Sequence, residues 1–181
     1  MEKEQAIALL EAAAKEAGFD HWGPLDCSTL QVIPEVRDMC ADGKCRMYGK
    51  NWRCPPAIGD LEQCRETMSG YSWGLLVQSV AQLEDAMDYE SMQEGQELQK
   101  ERFAKMYELL GQREDVLPMS SGTCTKCKVC TYPDEPCRFP EHQYSSMEAY
   151  GMLVSQICKD NGLPYYYGPN TVAYTSCFLI K

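Results

Sequence analysis

Cys124, Cys127 and Cys130 stand two residues apart, and Cys137 follows after six more, with Pro140 close behind. Three thiolates at this spacing wrap a chain around one face of an iron–sulfur cube, the geometry bacterial ferredoxins use. Zinc ordinarily takes two separated cysteine pairs that meet at one tetrahedral ion. The run therefore points to a [4Fe–4S] cluster held by Cys124, Cys127, Cys130 and Cys137 ahead of zinc. In ferredoxins the run ends C-x3-C-P; here the last gap is six residues and Arg138 follows Cys137. The longer gap lets Cys137 return to the same cube or reach across to a second one, and both remain open. Lys126, Lys128 and Arg138 lie among the thiols. Cations there stabilise the more negative, reduced state of a cluster; the plainer reading is exposed loop side chains.

A second group lies earlier in the chain. Cys40, Cys45, Cys54 and Cys64 are spaced C-x4-C-x8-C-x9-C, which puts four thiols within 25 positions. That suffices for a second cube or for an all-thiolate zinc site, and the spacing matches no single template. Pro55 and Pro56 restrain the chain after Cys54. Residues 40–65 hold five bases against three acids in a chain whose net charge is −10. The expected cofactors are thus two [4Fe–4S] clusters, with zinc as the alternative at the first group.

The other three of the 11 cysteines, Cys27, Cys158 and Cys177, are isolated and read as small buried hydrophobes, or as spare ligands or reactive thiols. Of the two histidines, His21 is no ligand candidate, and His142, five residues past Cys137, is a minor one. An odd cysteine count with no export signal in the acidic N-terminal residues argues against a disulfide framework and predicts a cytoplasmic protein. No apolar run approaches the roughly 18 residues of a membrane helix, so no membrane is expected. The acidity of the chain argues against nucleic acid as a partner. The expected partner is a redox protein; the oligomeric state is not legible.

The elements that must position these loops are fewer. One domain over 1–181 is expected, with cysteine-rich loops at 40–64 and 119–140. Residues 3–18 have helical spacing, with Ala6, Leu10, Ala13, Ala14 and Ala17 on one face and Gly18 as the stop. Residues 21–39 show no clear period. Asp60 caps a short helix that carries Cys64. Residues 72–80 read as a buried strand and 171–180 as a closing strand. Residues 84–112 read as an acidic helix with Leu98, Phe103, Met106 and Leu110 as its buried stripe. Ten acids against four bases over 84–115 make it a solvated face, or more sharply a docking face for a basic partner. Ser145 or Ser146, with Glu148, opens a helix running to Asn161. Together these predict an α/β or α+β fold, a small mixed sheet with flanking helices.

Three motifs occurring jointly carry a resemblance. They are Cys45…Tyr48-Gly49…Trp52…Cys54-Pro55-Pro56, then Cys124-x2-Cys127-x2-Cys130…Pro136-Cys137-Arg138…Pro140, then Ser146-Met147-Glu148-Ala149-Tyr150-Gly151. Over roughly residues 20–181 the chain resembles a prokaryotic family of unknown function described as predicted metal-binding proteins. The resemblance implies a metal or iron–sulfur protein, commonly from anaerobes. Its ferredoxin-like part falls on Cys124, Cys127, Cys130 and Cys137. It supplies neither substrate nor reaction.

Three functions compete. One is an electron carrier or the electron-transfer component of an iron–sulfur oxidoreductase, although over a hundred residues lie outside the cysteine loops. Another is a cluster-dependent enzyme with an open iron site and Lewis-acid chemistry. For that enzyme, Trp52 and Tyr165-Tyr166-Tyr167 would wall a pocket, against the plainer reading of aromatic core. The third is a non-redox zinc module that binds another protein.

Overall fold

The computed structural model describes residues 2–43 and 45–181. Lys44, one of the bases of the first cysteine loop, lies outside the described residues. The chain order is α1 (Lys3–Ala17), β1 (His21–Asp26), α2 (Pro34–Ala41), α3 (Leu61–Ser69), β2 (Trp73–Gln82), α4 (Tyr89–Leu109), β3 (Val116–Met119), α5 (Val154–Asp160) and β4 (Thr171–Ile180). The strands form one sheet in the order β1-β2-β4-β3. All three strand pairings are antiparallel, which places the fold on the α+β side of the expectation.

β2 and β4 are the centre, paired from Trp73↔Ile180 to Gln82↔Thr171. Alternate residues face opposite sides, and both sides are covered. Leu75, Val77, Phe178 and Ile180 pack under α1 and α4. Leu76, Cys177 and Leu179 pack against Met147, Met152, Val154 and Ile157. Burial on both faces explains why each central strand reads as a continuous apolar run. β4 is last in the chain yet lies inside the sheet.

α1 buries the five predicted residues, Ala6, Leu10, Ala13, Ala14 and Ala17. Gly18 ends it at φ 92°, where its N–H reaches the Ala14 carbonyl at 3.1 Å, a conformation glycine adopts without steric cost. α3 starts as expected at Asp60, whose carboxylate accepts from the Gln63 N–H while the Gln63 side chain accepts from the Asp60 N–H.

Three expectations need correction. The acidic helix begins at Tyr89, because Asp85 and Asp88 accept from the Met87 and Glu84 amides and hold residues 84–88 in turns. Its buried stripe is Gly95, Gln99, Phe103 and Met106, continued by Leu110; Leu98 is 41% exposed. Residues 145–161 are not one helix. A single 3-10 turn, Glu148–Tyr150, ends at Gly151 (φ 81°), and α5 starts only at Val154. The Gly151 carbonyl accepts from the Ile33 N–H at 2.8 Å, which ties this break to the start of α2. Residues 21–39, without a period, hold β1 and α2. β1 and β3 are edge strands, where Pro24 and Pro118 are tolerated because one side of an edge strand makes no ladder bonds.

Candidate metal centre

The second cysteine loop leaves and returns at one point. Ser120 and Ser146 form a parallel bridge at the end of β3, with Ser120 N–H to Ser145 O at 2.9 Å and Met147 N–H to Ser120 O at 3.2 Å. Within the loop the Thr131 hydroxyl donates to Pro136 O (2.9 Å) and the Arg138 guanidinium to Val129 O (2.9 Å). These bonds give an irregular segment the backbone partners it lacks as a loop. Cys124, Cys127, Cys130 and Cys137, each half-buried, line one cavity of about 370 Å³.

The opposite wall comes from the first cysteine loop. The Trp52 indole N–H donates to Glu135 O at 3.1 Å, and its ring meets Tyr132 edge-on with centroids 4.9 Å apart. Asn51 is buried; its amide donates to the Thr123 hydroxyl at 3.3 Å and its Oδ1 accepts from the Arg53 N–H at 2.9 Å. Lys50, Arg53, Lys126, Lys128 and Arg138 all line the cavity, and no carboxylate is among its lining residues. In a chain of net charge −10 this is a local excess of cations around four thiols. Such a wall favours an anionic occupant. His142 lines the cavity as well.

The first group is built differently. Cys40 sits in the last turn of α2 and Cys64 on α3, where it is buried. Burial pushes the Cys40 thiol up, and the charges of Cys45 and Cys54 push it further, so these three are electrostatic neighbours. Arg37, one turn before Cys40, pulls it back. Its guanidinium also lies 3.7 Å from the Cys64 sulfur and donates to Gly59 O. Burial raises the Cys64 thiol too, with Arg37 the strongest opposing charge. Arg37 therefore links Cys64 to Cys40.

Glu148 adds a buried acid to this region. Its Oε2 is sealed from solvent and accepts no hydrogen bond among the described residues. Burial pushes the carboxyl above its usual range, against bonds from its own backbone and Ser146. Its charge also raises Cys40. In the sequence Glu148 stands as a helix-opening residue, marked for the site only by its place in the third motif, and no local spacing marks Arg37, Asn51 or Thr123.

The two groups adjoin, since the Cys54 sulfur lies 3.4 Å from the Thr123 hydroxyl, beside Cys124. Among the described residues no three His, Cys, Asp or Glu side chains stand close enough to hold a single metal ion.

The remaining candidates separate. Cys158 and Cys177 are buried in the core beneath the sheet, and Cys27 is half-buried at its margin. His21 stacks on Tyr167 at 4.3 Å and does not line the thiol-lined cavity. Tyr165 and Tyr166 are exposed, Tyr167 donates to Gln78 Oε1 at 2.6 Å, and none of the three lines the cavity that Trp52 closes. The pocket expected from Trp52 and these tyrosines together does not form. No helix is long and apolar enough to cross a membrane among the described residues.

The sequence of residues 23–180 matches the family described as predicted metal-binding protein, DUF2284. The chain belongs to this family. The match runs from β1 through β4 and takes in both cysteine groups, and metal binding is what this family is predicted to do. No curated protein and no solved structure matches the chain.

Proposed function

We propose that the protein is an iron–sulfur protein acting in electron transfer or cluster-based redox chemistry. In this reading Cys124, Cys127, Cys130 and Cys137 hold one [4Fe–4S] cluster, and Cys40, Cys45, Cys54 and Cys64 hold a second. The supporting observation is the single cavity lined by four thiols and five cations without a carboxylate. A cluster, when bound, supplies a one-electron carrier. The chain's own residues do the rest. The five cations stabilise added negative charge and raise the potential. Trp52 and Tyr132 line the cavity as an edge-to-face aromatic pair. The contact between Cys54 and Thr123 sets the two groups side by side.

One observation favours a second reading. Cys40 feels the charges of Cys45 and Cys54 but not that of Cys64, whose thiol faces Arg37. A centre held by three thiolates keeps an open position for Lewis-acid chemistry, which suits an enzyme. Substituting Cys64→Ser separates the two: unchanged iron content supports the open site, and loss of the first group's iron supports four ligands.

Iron, zinc and acid-labile sulfide on one anaerobic sample test the main reading. About eight iron and eight sulfide per chain is the expected result. About four of each with one zinc makes the first group a zinc site. A colourless protein with zinc alone refutes it.

A further inference from the structure

A cavity of about 580 Å³ lies between the open edge of β3 and the returning end of the second cysteine loop, a size that suits a small ligand. The Lys181 N–H donates to Asp115 O at 3.1 Å, which fixes the phase of the β3–β4 ladder. Val116 and Pro118, which both line the cavity, therefore turn their backbone groups away from β4. The Val116 N–H is taken by Arg113 O at 3.2 Å, and Pro118 has none. This stretch of edge offers carbonyl oxygens and no free N–H. An added strand would find no donors there, so an occupant has to bring its own.

Tyrosines form much of the wall. Tyr71, Tyr107, Tyr144 and Tyr150 all line the cavity, and the Tyr107 and Tyr144 rings stand at 82° with centroids 6.1 Å apart. None of the four hydroxyls is bonded within the described residues, and none is sealed from solvent, so a ligand can reach them. Burial pushes all four phenols up, Tyr150 to about 12, which keeps them neutral. Neutral rings turn a negative face to a cation. Arg53 already stands over Tyr144 at 4.2 Å and Lys181 over Tyr71 at 5.1 Å, and neither lines the cavity.

The charges point the same way. Among the described residues the one base in the lining is Arg113, which Asp115 neutralises through two bonds of 2.7 and 2.5 Å. Glu114, just before β3, has no cation partner among the described residues. Glu141, in the 3-10 turn Pro140–His142, has only His142 at 3.7 Å. The two walls thus each carry a carboxylate, and the surplus is negative.

We propose that this cavity binds a linear aliphatic polyamine with at least two ammonium groups, these directed to Glu114 and Glu141 and the methylene chain laid along the tyrosine rings. The ammonium N–H groups supply the donors that the β3 carbonyls and the phenols lack. No cysteine lines the cavity, so binding does not rest on the iron–sulfur reading.

Calorimetric titration of the full metal-loaded chain under anaerobic conditions and matched salt tests this. The probes are putrescine, cadaverine and spermidine, with n-butylamine and tetramethylammonium as controls. At least one probe is expected to saturate at one per chain, with a Kd of about 1 mM or tighter and at least about tenfold below the controls. Glu114→Gln and Glu141→Gln are each expected to weaken it about fivefold, with iron and sulfide unchanged. Glu94→Gln, which removes an exposed acid of α4 outside the cavity, is expected to leave it unchanged. No saturation by any probe up to about 10 mM overturns the proposal, as does equal binding by n-butylamine. Undiminished binding by both cavity variants, or an equal loss in Glu94→Gln, overturns it too, since the amine would then read only the overall acidity of the chain.

Discussion

The sulfur of Cys54 lies 3.4 Å from the hydroxyl of Thr123, the residue before Cys124. These residues are 69 apart in the chain, and their contact joins the first cysteine group to the second. The same hydroxyl accepts from the Asn51 amide, which also donates to Met47 O at 3.5 Å. Thr123→Val keeps the side-chain shape and removes the hydroxyl. It is expected to cost about 1–2 kcal/mol and lower the melting temperature by roughly 3–6 °C at a fixed scan rate. An unchanged melting temperature would show that the junction contributes nothing to stability.

Cys127 stands in the middle of the run around the thiol-lined cavity. Cys127→Ser is expected to remove close to one cluster, about four irons, and leave the first group largely filled. Iron and sulfide analysis of the anaerobic variant reads this out. Full retention of iron would remove the assignment of these thiols.

The isolated cysteines are expected to be inert to alkylation at pH 8. Burial, and next the Asp26 charge, pushes Cys27 up to about 12; burial pushes Cys158 up to about 11 and Cys177 well above its ordinary value. The thiolate is the reactive form. At pH 8 it is then about one part in ten thousand of Cys27 and one in a thousand of Cys158, against roughly a quarter of a free thiol. Their reaction with iodoacetamide should speed up about tenfold per pH unit from 8 to 10 in the folded chain. Mass spectrometry of alkylated peptides checks it; rapid modification of Cys158 at pH 8 contradicts it.

At Gly95 α4 lies close against the sheet. A Cβ there would stand 2.6 Å from the Ala81 Cβ and 2.8 Å from the Tyr174 ring. Tyr174 is held by its hydroxyl bond to Met92 O. Gly95→Ala gains helix propensity but forces α4 outward, and the expected balance is a loss of about 1–3 kcal/mol by urea denaturation. A stabilised variant would mean that the helix and sheet separate without cost.

Local spacing made part of the molecule legible. The five buried residues of α1, the Asp60 cap of α3, the two long apolar strands and the grouping of Cys124, Cys127, Cys130 and Cys137 are each written within a few neighbouring residues. β1, with Gly23 and Pro24, and β3, four residues with Pro118, carry no period. They are strands because β2 and β4 offer them paired edges. The helix expected over 145–161 broke at Gly151, whose carbonyl is held by Ile33 from a distant segment. In the same way Arg37 meets Cys64, Trp52 closes over Glu135 and Gln99 reaches Ser176 only through the fold. Spacing along a chain determines which neighbouring thiols can share a centre. Which cations, aromatic rings and unpaired polar groups stand around that centre depends on long-range packing, because the sheet returns both ends of the cysteine loop to Ser120 and Ser146 and lays the first loop against it.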